Sequence, residues 1–323
     1  MDAEFLITGG AGFIGSNLVE RLIASVPRHE RLGRDGHSVR VFDNFSTGRR
    51  ENLRQIETKV EIIEGDLRNL AEVRNAVAGV RYVLHLAALP SVQRSVEDPL
   101  MAHEVNVNGT LNLLVAAREA HCQRVVFSSS SAVYGDTPTL PKREDMAPWP
   151  VSPYGAHKIT GEHYCRLFWQ LYGLETVSLR YFNVFGPRQD PQSEYAAVIP
   201  KFITSVLAGR SPTIFGDGTQ TRDFSHVDNV VEANLAACAA SKEALGESFN
   251  IACGERISLL QLVDTIDNIA GNKIRPQFAP ARPGDIMHSH ADVAKAAKLL
   301  GWKPSVGFRE GIEKTIAWYR GQS

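Results

Sequence analysis

Tyr154 and Lys158 stand four residues apart in the run Ser152-Pro153-Tyr154-Gly155-Ala156-His157-Lys158. On a helix that spacing puts a phenol and an ammonium on one face. Ser152 suits an N-cap and Pro153 the first helical position, so the run reads as a helix start. A tyrosine that takes a proton near neutral pH needs its pKa of about 10 lowered. A cation one turn away is expected to do that. Ser130, in the cluster Ser128-Ser129-Ser130-Ser131, offers a hydroxyl to steady a reacting oxygen. Alone, a Tyr-x-x-x-Lys spacing is poor evidence, because it arises readily by chance. Its weight comes from its surroundings.

Those surroundings alternate short apolar runs with amphipathic stretches. Strands are expected over 5–8, 38–43, 60–64, 82–87, 124–129 and 176–181, with helices starting near Gly12, Leu70, Pro99 and Pro153. Strand, helix, strand repeated in this way means parallel pairing through right-handed crossovers. The serine cluster then lies at the carboxyl end of a strand, where open α/β sheets bind ligands. The polar, breaker-rich stretch 27–37 reads as an enlarged helix-to-strand loop. Past residue 182 the rhythm loosens, and helices are expected over 199–207, 227–240 and 259–270. The expected fold is α/β. A Rossmann-like doubly wound parallel sheet over 1–182 is followed by a smaller, irregular α/β substrate domain over 183–323. The boundary is approximate, and segments can interchange across it.

Thr8-Gly9-Gly10-Ala11-Gly12-Phe13-Ile14-Gly15 follows the first strand directly and opens a helix. Small residues let the backbone turn tightly and approach a pyrophosphate, and the helix N-terminus adds free N–H groups. Asp43 ends the second strand in Val41-Phe42-Asp43-Asn44-Phe45-Ser46-Thr47-Gly48, where a carboxylate grips a ribose. It lies 28 residues past Gly15, against a usual spacing of about 20, and the 27–37 loop accounts for the excess. A carboxylate there favours NAD over NADP, and the positive nicotinamide ring is expected to help Lys158 lower the Tyr154 pKa. Arg49 and Arg50 keep NADP as the alternative, and a plain strand-end cap is the alternative role for Asp43. Asp66 ends the third strand, in reach of an adenine.

Composition points toward a soluble protein with a small-molecule partner. Hydrophobic residues make up 43% and charged residues 22% of 323, which excludes disorder and coiled coil. Thirty-five basic against 36 acidic residues leave no surplus for nucleic acid or anionic membrane. Four scattered cysteines, Cys122, Cys165, Cys238 and Cys253, form neither a disulfide framework nor a zinc site. The pairs His288/His290 and His157/His163 lack the spacing of a metal site, so no metal is expected. The N-terminus carries no signal-like segment, and no apolar stretch spans a bilayer, so a cytoplasmic protein is expected.

The chain resembles the extended short-chain dehydrogenase/reductase family over nearly its whole length. The segments that carry the resemblance are TGGAGFIGSNL, VFDNFSTG, GDLRN, HLAA, NVNGT, SSSSAVYG, SPYGAHK, LRYFNVFGPRQ, FGDGTQTRDFSHVDNV and RPGD. It is most similar to nucleotide-sugar 4-epimerases acting on UDP-hexoses and UDP-N-acetylhexosamines. The resemblance implies that Tyr154 takes the proton of the sugar 4-hydroxyl, Ser130 assists, and Lys158 holds the nicotinamide ribose. The sugar then passes through a 4-keto intermediate and is reduced on its other face. Further cofactor contacts implied are Gly9, Gly12, Phe13, Ile14 and Gly15 in the turn, and Asn44, Ser46 and Gly48 after Asp43. Asp66, Leu67, Leu86, Ala87, Ala88, Asn106 and Tyr181 complete that set. Asn183, Val198, Arg222, Arg282 and Asp285 are implied to hold UDP. Ser91 and Ser289 are implied to line the sugar pocket, and the small Ser289 leaves room for an N-acetyl group where relatives confined to plain hexoses carry tyrosine. A homodimer through helices near 100–120 and 154–172 is also implied.

Other reactions on the same scaffold compete with this reading. Nucleotide-sugar 4,6-dehydratases and UDP-glucuronate decarboxylases carry a carboxylate beside the catalytic hydroxyl. Here Ser130-Ser131-Ala132-Val133-Tyr134 carries none. UDP-glucuronate 4-epimerase is a further alternative. A non-catalytic dinucleotide sensor would commonly lose Tyr154 and Lys158, and both are present.

Overall fold

The computed structural model describes residues 3–25, 39–192, 197–272, 274–281 and 287–321. The enlarged loop expected at 27–37 lies outside the described residues, as do Arg282 and Asp285. The chain opens with β1 (Ala3–Thr8), α1 (Phe13–Ser25), β2 (Val39–Asp43), β3 (Glu61–Glu64), α2 (Leu70–Val77) and β4 (Val80–His85). It continues with α3 (Val92–Glu97), α4 (Pro99–His103), a π-turn over Glu104–Asn108, α5 (Gly109–Glu119), β5 (Arg124–Ser130), α6 (Pro153–Tyr172) and β6 (Glu175–Tyr181). Beyond these come β7 (Val184–Phe185), α7 (Val198–Leu207), β8 (Thr213–Phe215), β9 (Thr221–Arg222), β10 (Ser225–His226) and α8 (Val227–Cys238). The last elements are β11 (Ser248–Ile251), β12 (Ile257–Ser258), α9 (Leu259–Ala270), β13 (Gln277–Ala279), α10 (Ala294–Leu299) and α11 (Phe308–Arg320).

Seven strands form one parallel sheet in the order β11-β6-β5-β4-β1-β2-β3. The order reverses between β1 and β4, which makes their carboxyl ends the crevice of a Rossmann-like sheet. Apolar layers cover both faces. One gathers Leu18, Leu22, Val41, Leu84 and Val126 with Val230 and Phe249. The other gathers Leu6, Phe42, Val83, Leu113, Val125 and Phe127. Strands buried on both faces have no polar alternation to preserve, which is why their sequences read as continuous apolar runs.

The sheet does not end at residue 182. Its seventh strand, β11, comes from residues 248–251 and pairs with β6, and α8 covers the same sheet. This strand is short and follows polar residues, so it carries little periodic signal. The strand expected at 82–87 ends at His85, which leaves Leu86 and Ala87 in the loop above the crevice. The helix expected from Pro99 is broken into α4, a π-turn and α5. A separate core of Ile199, Phe202, Ile214, Phe224, Leu262, Ile266 and Ile312 organises the smaller part of the fold. Among the described residues no helix is long and apolar enough to cross a membrane. All four cysteines are free, and Cys253 alone is half-buried.

Candidate active site

The glycine turn joins β1 to α1 at the sheet reversal. Gly9 has φ +70°, and a Cβ there would fall 2.7 Å from the Ala87 nitrogen. The turn therefore presses on the loop that follows β4, and only glycine permits both the conformation and the approach. Asp43 organises the next wall. Its Oδ2 accepts from the Ala11 N–H at 2.9 Å and its Oδ1 from the Phe45 N–H at 2.8 Å. It is thus a strand-end cap whose remaining lone pairs stay available. Burial raises its pKa, against the pull of those two backbone donors. Asp66 accepts from Asn44 and Arg68, and those bonds hold its carboxyl far below the usual range.

Both arginines that kept NADP open are taken. Arg49 pairs with Asp190, and Arg50 pairs with Glu64 while lying 3.9 Å over the Phe45 ring. Neither stands free for a 2′-phosphate, so this wall suits a ribose with free hydroxyls.

His85 was not singled out in the sequence, yet it anchors the crevice. The Thr110 hydroxyl donates to the Asn106 carbonyl, so His85 Nε2 is the donor in its 2.9 Å bond to Thr110 Oγ1. Nδ1 then accepts from the Thr8 hydroxyl at 2.8 Å, and Thr8 Oγ1 accepts from the Ala87 N–H. Burial, with Lys158 nearby, pushes this imidazole down to about 3, so it stays neutral. Asn106 is equally buried, and its amide is spent on the Leu89 N–H and carbonyl. It stands behind the loop rather than on the groove surface.

Above these elements runs one continuous groove of about 1680 Å³. Apart from Asn106, every residue expected to touch the cofactor lines it, from the glycine turn through Asp43 and Asp66 to Leu86, Ala87, Ala88 and Tyr181. Tyr181 hydrogen-bonds Asn234 at its hydroxyl, which fixes its ring in the floor. The glycine cradle, the remaining lone pairs of Asp43 and the paired arginines together fit NAD.

Tyr154, Ser130 and Lys158 meet at the middle of this groove. Ser152 caps α6 by accepting from the Gly155 N–H at 3.2 Å. Ser95 on α3 accepts from the Tyr154 N–H at 3.0 Å. Ser130 Oγ accepts from the Ala132 N–H at 3.2 Å and lines the groove together with Tyr154. Lys158 donates to the Ser128 carbonyl at 2.8 Å, with its Nζ 5.7 Å from the Tyr154 ring centre. Burial pushes the Lys158 pKa down to about 8. It pushes the Tyr154 phenol up to about 12, opposed only by the pull of the Ser130 hydroxyl. The lowered phenol expected from the sequence is therefore not met by the chain's own groups. Lys158 is spent on a carbonyl, and burial dominates.

Asn183, Val198 and Arg222 converge on a second cavity of about 260 Å³ that opens from the groove. Phe185, Phe202, Phe215 and Phe224 make its walls. Buried Gln220 donates to the Phe215 carbonyl at 2.6 Å and leaves its Oε1 without a partner. Sequence reasoning passed over Gln220, although FGDGTQTRDF contains it. Arg188 and Gln189, at the end of LRYFNVFGPRQ, also line the main groove. Ser91 and Ser289 face the groove, and the Ser289 N–H donates to the Thr221 carbonyl. His288 bonds Thr221 and His290 bonds the Gly254 carbonyl. Among the described residues no three metal-ligating side chains cluster.

A doubly wound parallel sheet with a glycine turn at its reversal and a carboxylate at the next strand end defines an NAD-dependent enzyme of Rossmann-like fold. The chain belongs to the NAD dependent epimerase/dehydratase family, whose pattern matches residues 5–252. It is 42% identical to UDP-glucose 4-epimerase of Mycolicibacterium smegmatis, over 98% of this chain and 99% of the relative. Among solved structures it resembles UDP-N-acetylglucosamine 4-epimerase of Methanobrevibacter ruminantium in complex with UDP-N-acetylmuramic acid. That match has a TM-score of 0.91 and 39% identity, covering 100% of this chain and 99% of the other. The UDP-glucose 4-epimerase of Thermus thermophilus, in complex with NAD, superposes with a TM-score of 0.85 at 38% identity, covering 99% and 100%.

Proposed function

We propose that the protein is an NAD-dependent 4-epimerase of UDP-sugars, acting on UDP-N-acetylglucosamine and UDP-N-acetylgalactosamine and also on UDP-glucose and UDP-galactose. One observation carries this reading. Tyr154, Ser130 and Lys158 line the same groove as the glycine turn, and that groove shares Asn183, Val184 and Ala197 with the aromatic cavity beside Arg222, which leaves room for both nucleotides. NAD supplies a two-electron acceptor at the sugar C4 that is restored in every turnover. Tyr154 takes and returns the C4 hydroxyl proton, and Ser130 holds that oxygen. Lys158 presents positive charge one helical turn away. The aromatic cavity, with the unpaired Gln220 acceptor and Arg222 at its edge, suits a uracil followed by a pyrophosphate. The run Ser130–Tyr134 carries no carboxylate of the kind that elimination on this scaffold uses, which favours epimerisation. Assay of the purified protein on acetylated and plain UDP-hexoses tests the reading, and absence of C4 inversion on every one of them would refute it.

Ser289 is the proposed sugar gate. It is part-buried on the groove wall, tied to Thr221 through its backbone. Ser289→Tyr fills space that an acetamido group would use, at about 1–3 kcal/mol of overpacking, or roughly 5- to 150-fold in kcat/KM. Turnover of UDP-glucose is expected to stay near wild type. Equal losses on both sugar types would remove Ser289 from this role.

The reading extends to a homodimer. Leu100 on α4 is 79% exposed, and Leu167, Leu171 and Tyr172 on α6 are 43, 66 and 53% exposed. Apolar side chains grouped on helix faces mark an interaction surface. Light scattering is expected to give about twice the 35.5 kDa of one chain, and Leu171→Glu to shift it toward the monomer. A monomeric wild type would end this part of the proposal.

A further inference from the structure

Beneath the reaction groove lies a buried ion pair with no part in the chemistry described above. Arg180 on β6 and Glu162 on α6 have side chains 5% and 4% exposed. They form a two-point fork, Nη2 to Oε2 at 2.7 Å and Nε to Oε1 at 2.9 Å. Such a pair is weak evidence for stability, because desolvation offsets most of its attraction. Its other partners show what it holds. Ser129 donates to Glu162 Oε1 at 2.5 Å, and Ser248 on β11 donates to Oε2 at 2.9 Å. Arg180 Nη1 donates to the Tyr134 hydroxyl at 2.7 Å, and Tyr134 donates to Asn250 Oδ1 at 2.7 Å.

Ser129 is the informative member. The pairing of β5 with β4 stops at Phe127, whereas its pairing with β6 runs on to Ser130. Residues 128–130 are therefore laddered on one side only. The strand's groups nearest the chemistry fall there. The Ser128 carbonyl receives Lys158, and Ser130 lines the groove together with Tyr154. Side chains alternate along a strand, so Ser129 points away from Ser130 and into the protein. Glu162, one helical turn past Lys158, receives it there.

We infer that Glu162 is a positioning residue for the proton-transfer step. Through Ser129 it holds the half-laddered end of β5, so that Ser130 and the Ser128 carbonyl present Tyr154 and Lys158 correctly, and Arg180 fixes the carboxylate for that task. This rests on the active-site reading above. It goes beyond it by placing a determinant of turnover outside the groove.

Two serines on the same carboxylate provide the test. Ser129→Ala and Ser248→Ala each delete one hydrogen bond to Glu162, and only the first touches β5. Small misplacements of reacting groups cost rate steeply. Ser129→Ala is expected to lower kcat about tenfold with KM near wild type, the signature of an interaction felt in the transition state. Ser248→Ala is expected to keep kcat within about twofold at a similar Tm. Glu162→Gln, if it folds, should match or exceed the loss in Ser129→Ala. Equal kcat in the two serine variants, or a Ser129→Ala loss confined to KM, would overturn the inference. Tyr154→Phe run alongside separates the two levels. An inactive Tyr154→Phe with unaffected serine variants sinks only the positioning role, whereas a fully active Tyr154→Phe sinks the active-site reading and the inference with it.

Discussion

Tyr154→Phe is expected to lower turnover of a UDP-sugar by about 10²–10⁴-fold while leaving nucleotide binding near wild type. The substitution removes only the phenol hydroxyl, which lies in the groove lined also by Ser130. It keeps the ring and the backbone bond to Ser95. The cavity that gathers Asn183, Val198 and Arg222 is elsewhere, so affinity for UDP has no reason to fall. The phenol stands at about 12 through burial, and the chain's own groups hold it neutral. In turnover, the charge that favours proton release must come from Lys158 together with the bound cofactor. A kcat unchanged in Tyr154→Phe, with UDP binding intact by calorimetry, would remove Tyr154 as the base. A loss of binding equal to the loss of rate would show that the residue acts on the ground state.

The reach of the sequence followed the physics of its signals. Ser152, Pro153, Tyr154 and Lys158 were legible because a cap, a first-turn proline and an i,i+4 spacing are all local. The glycine turn and Asp43 were legible because a strand and a helix bracket them. β11 was not, because a four-residue strand at a sheet edge owes its existence to β6 rather than to its own pattern. His85 and Glu162 were missed for a related reason. Their partners, Thr8 and Thr110 for one and Ser129, Arg180 and Ser248 for the other, lie far away along the chain. No window of sequence displays such a network. Asn106 shows the converse. Its motif NVNGT was visible, but only the three-dimensional arrangement reveals an amide closed on the Leu89 backbone. Arg49 and Arg50 leave NADP open in the sequence, and only their distant partners Asp190 and Glu64 occupy them in the fold.

Gly15→Ala should strip the protein of its cofactor. A cycle that restores NAD in each turnover gains nothing from releasing it, so the wild-type protein is expected to purify with NAD bound. A methyl at position 15 would stand 2.1 Å from the Gly9 carbonyl oxygen and 2.8 Å from the Gly10 Cα. Both are backbone atoms of the turn itself, so no side chain can rotate away to make room. Gly9 in turn cannot retreat, because it already presses on Ala87. The turn has to open, and its N–H groups lose the convergence that an anion needs. Overpacking of about 1–3 kcal/mol corresponds to roughly 5- to 150-fold weaker binding, enough to lose NAD during purification. The loss should also appear as a lower Tm, since a ligand at about 100 times its Kd contributes about 2.7 kcal/mol of stability. Gly307→Ala, where a Cβ meets nothing within 4 Å, controls for the general effect of replacing a glycine. Enzymatic assay of nucleotide released by heat measures the content directly. Equal NAD in wild type, Gly15→Ala and Gly307→Ala would show that this turn is not the cradle of the pyrophosphate. Depletion confined to Gly15→Ala, with a Tm restored by added NAD, would fix the turn as the place where the cofactor is held.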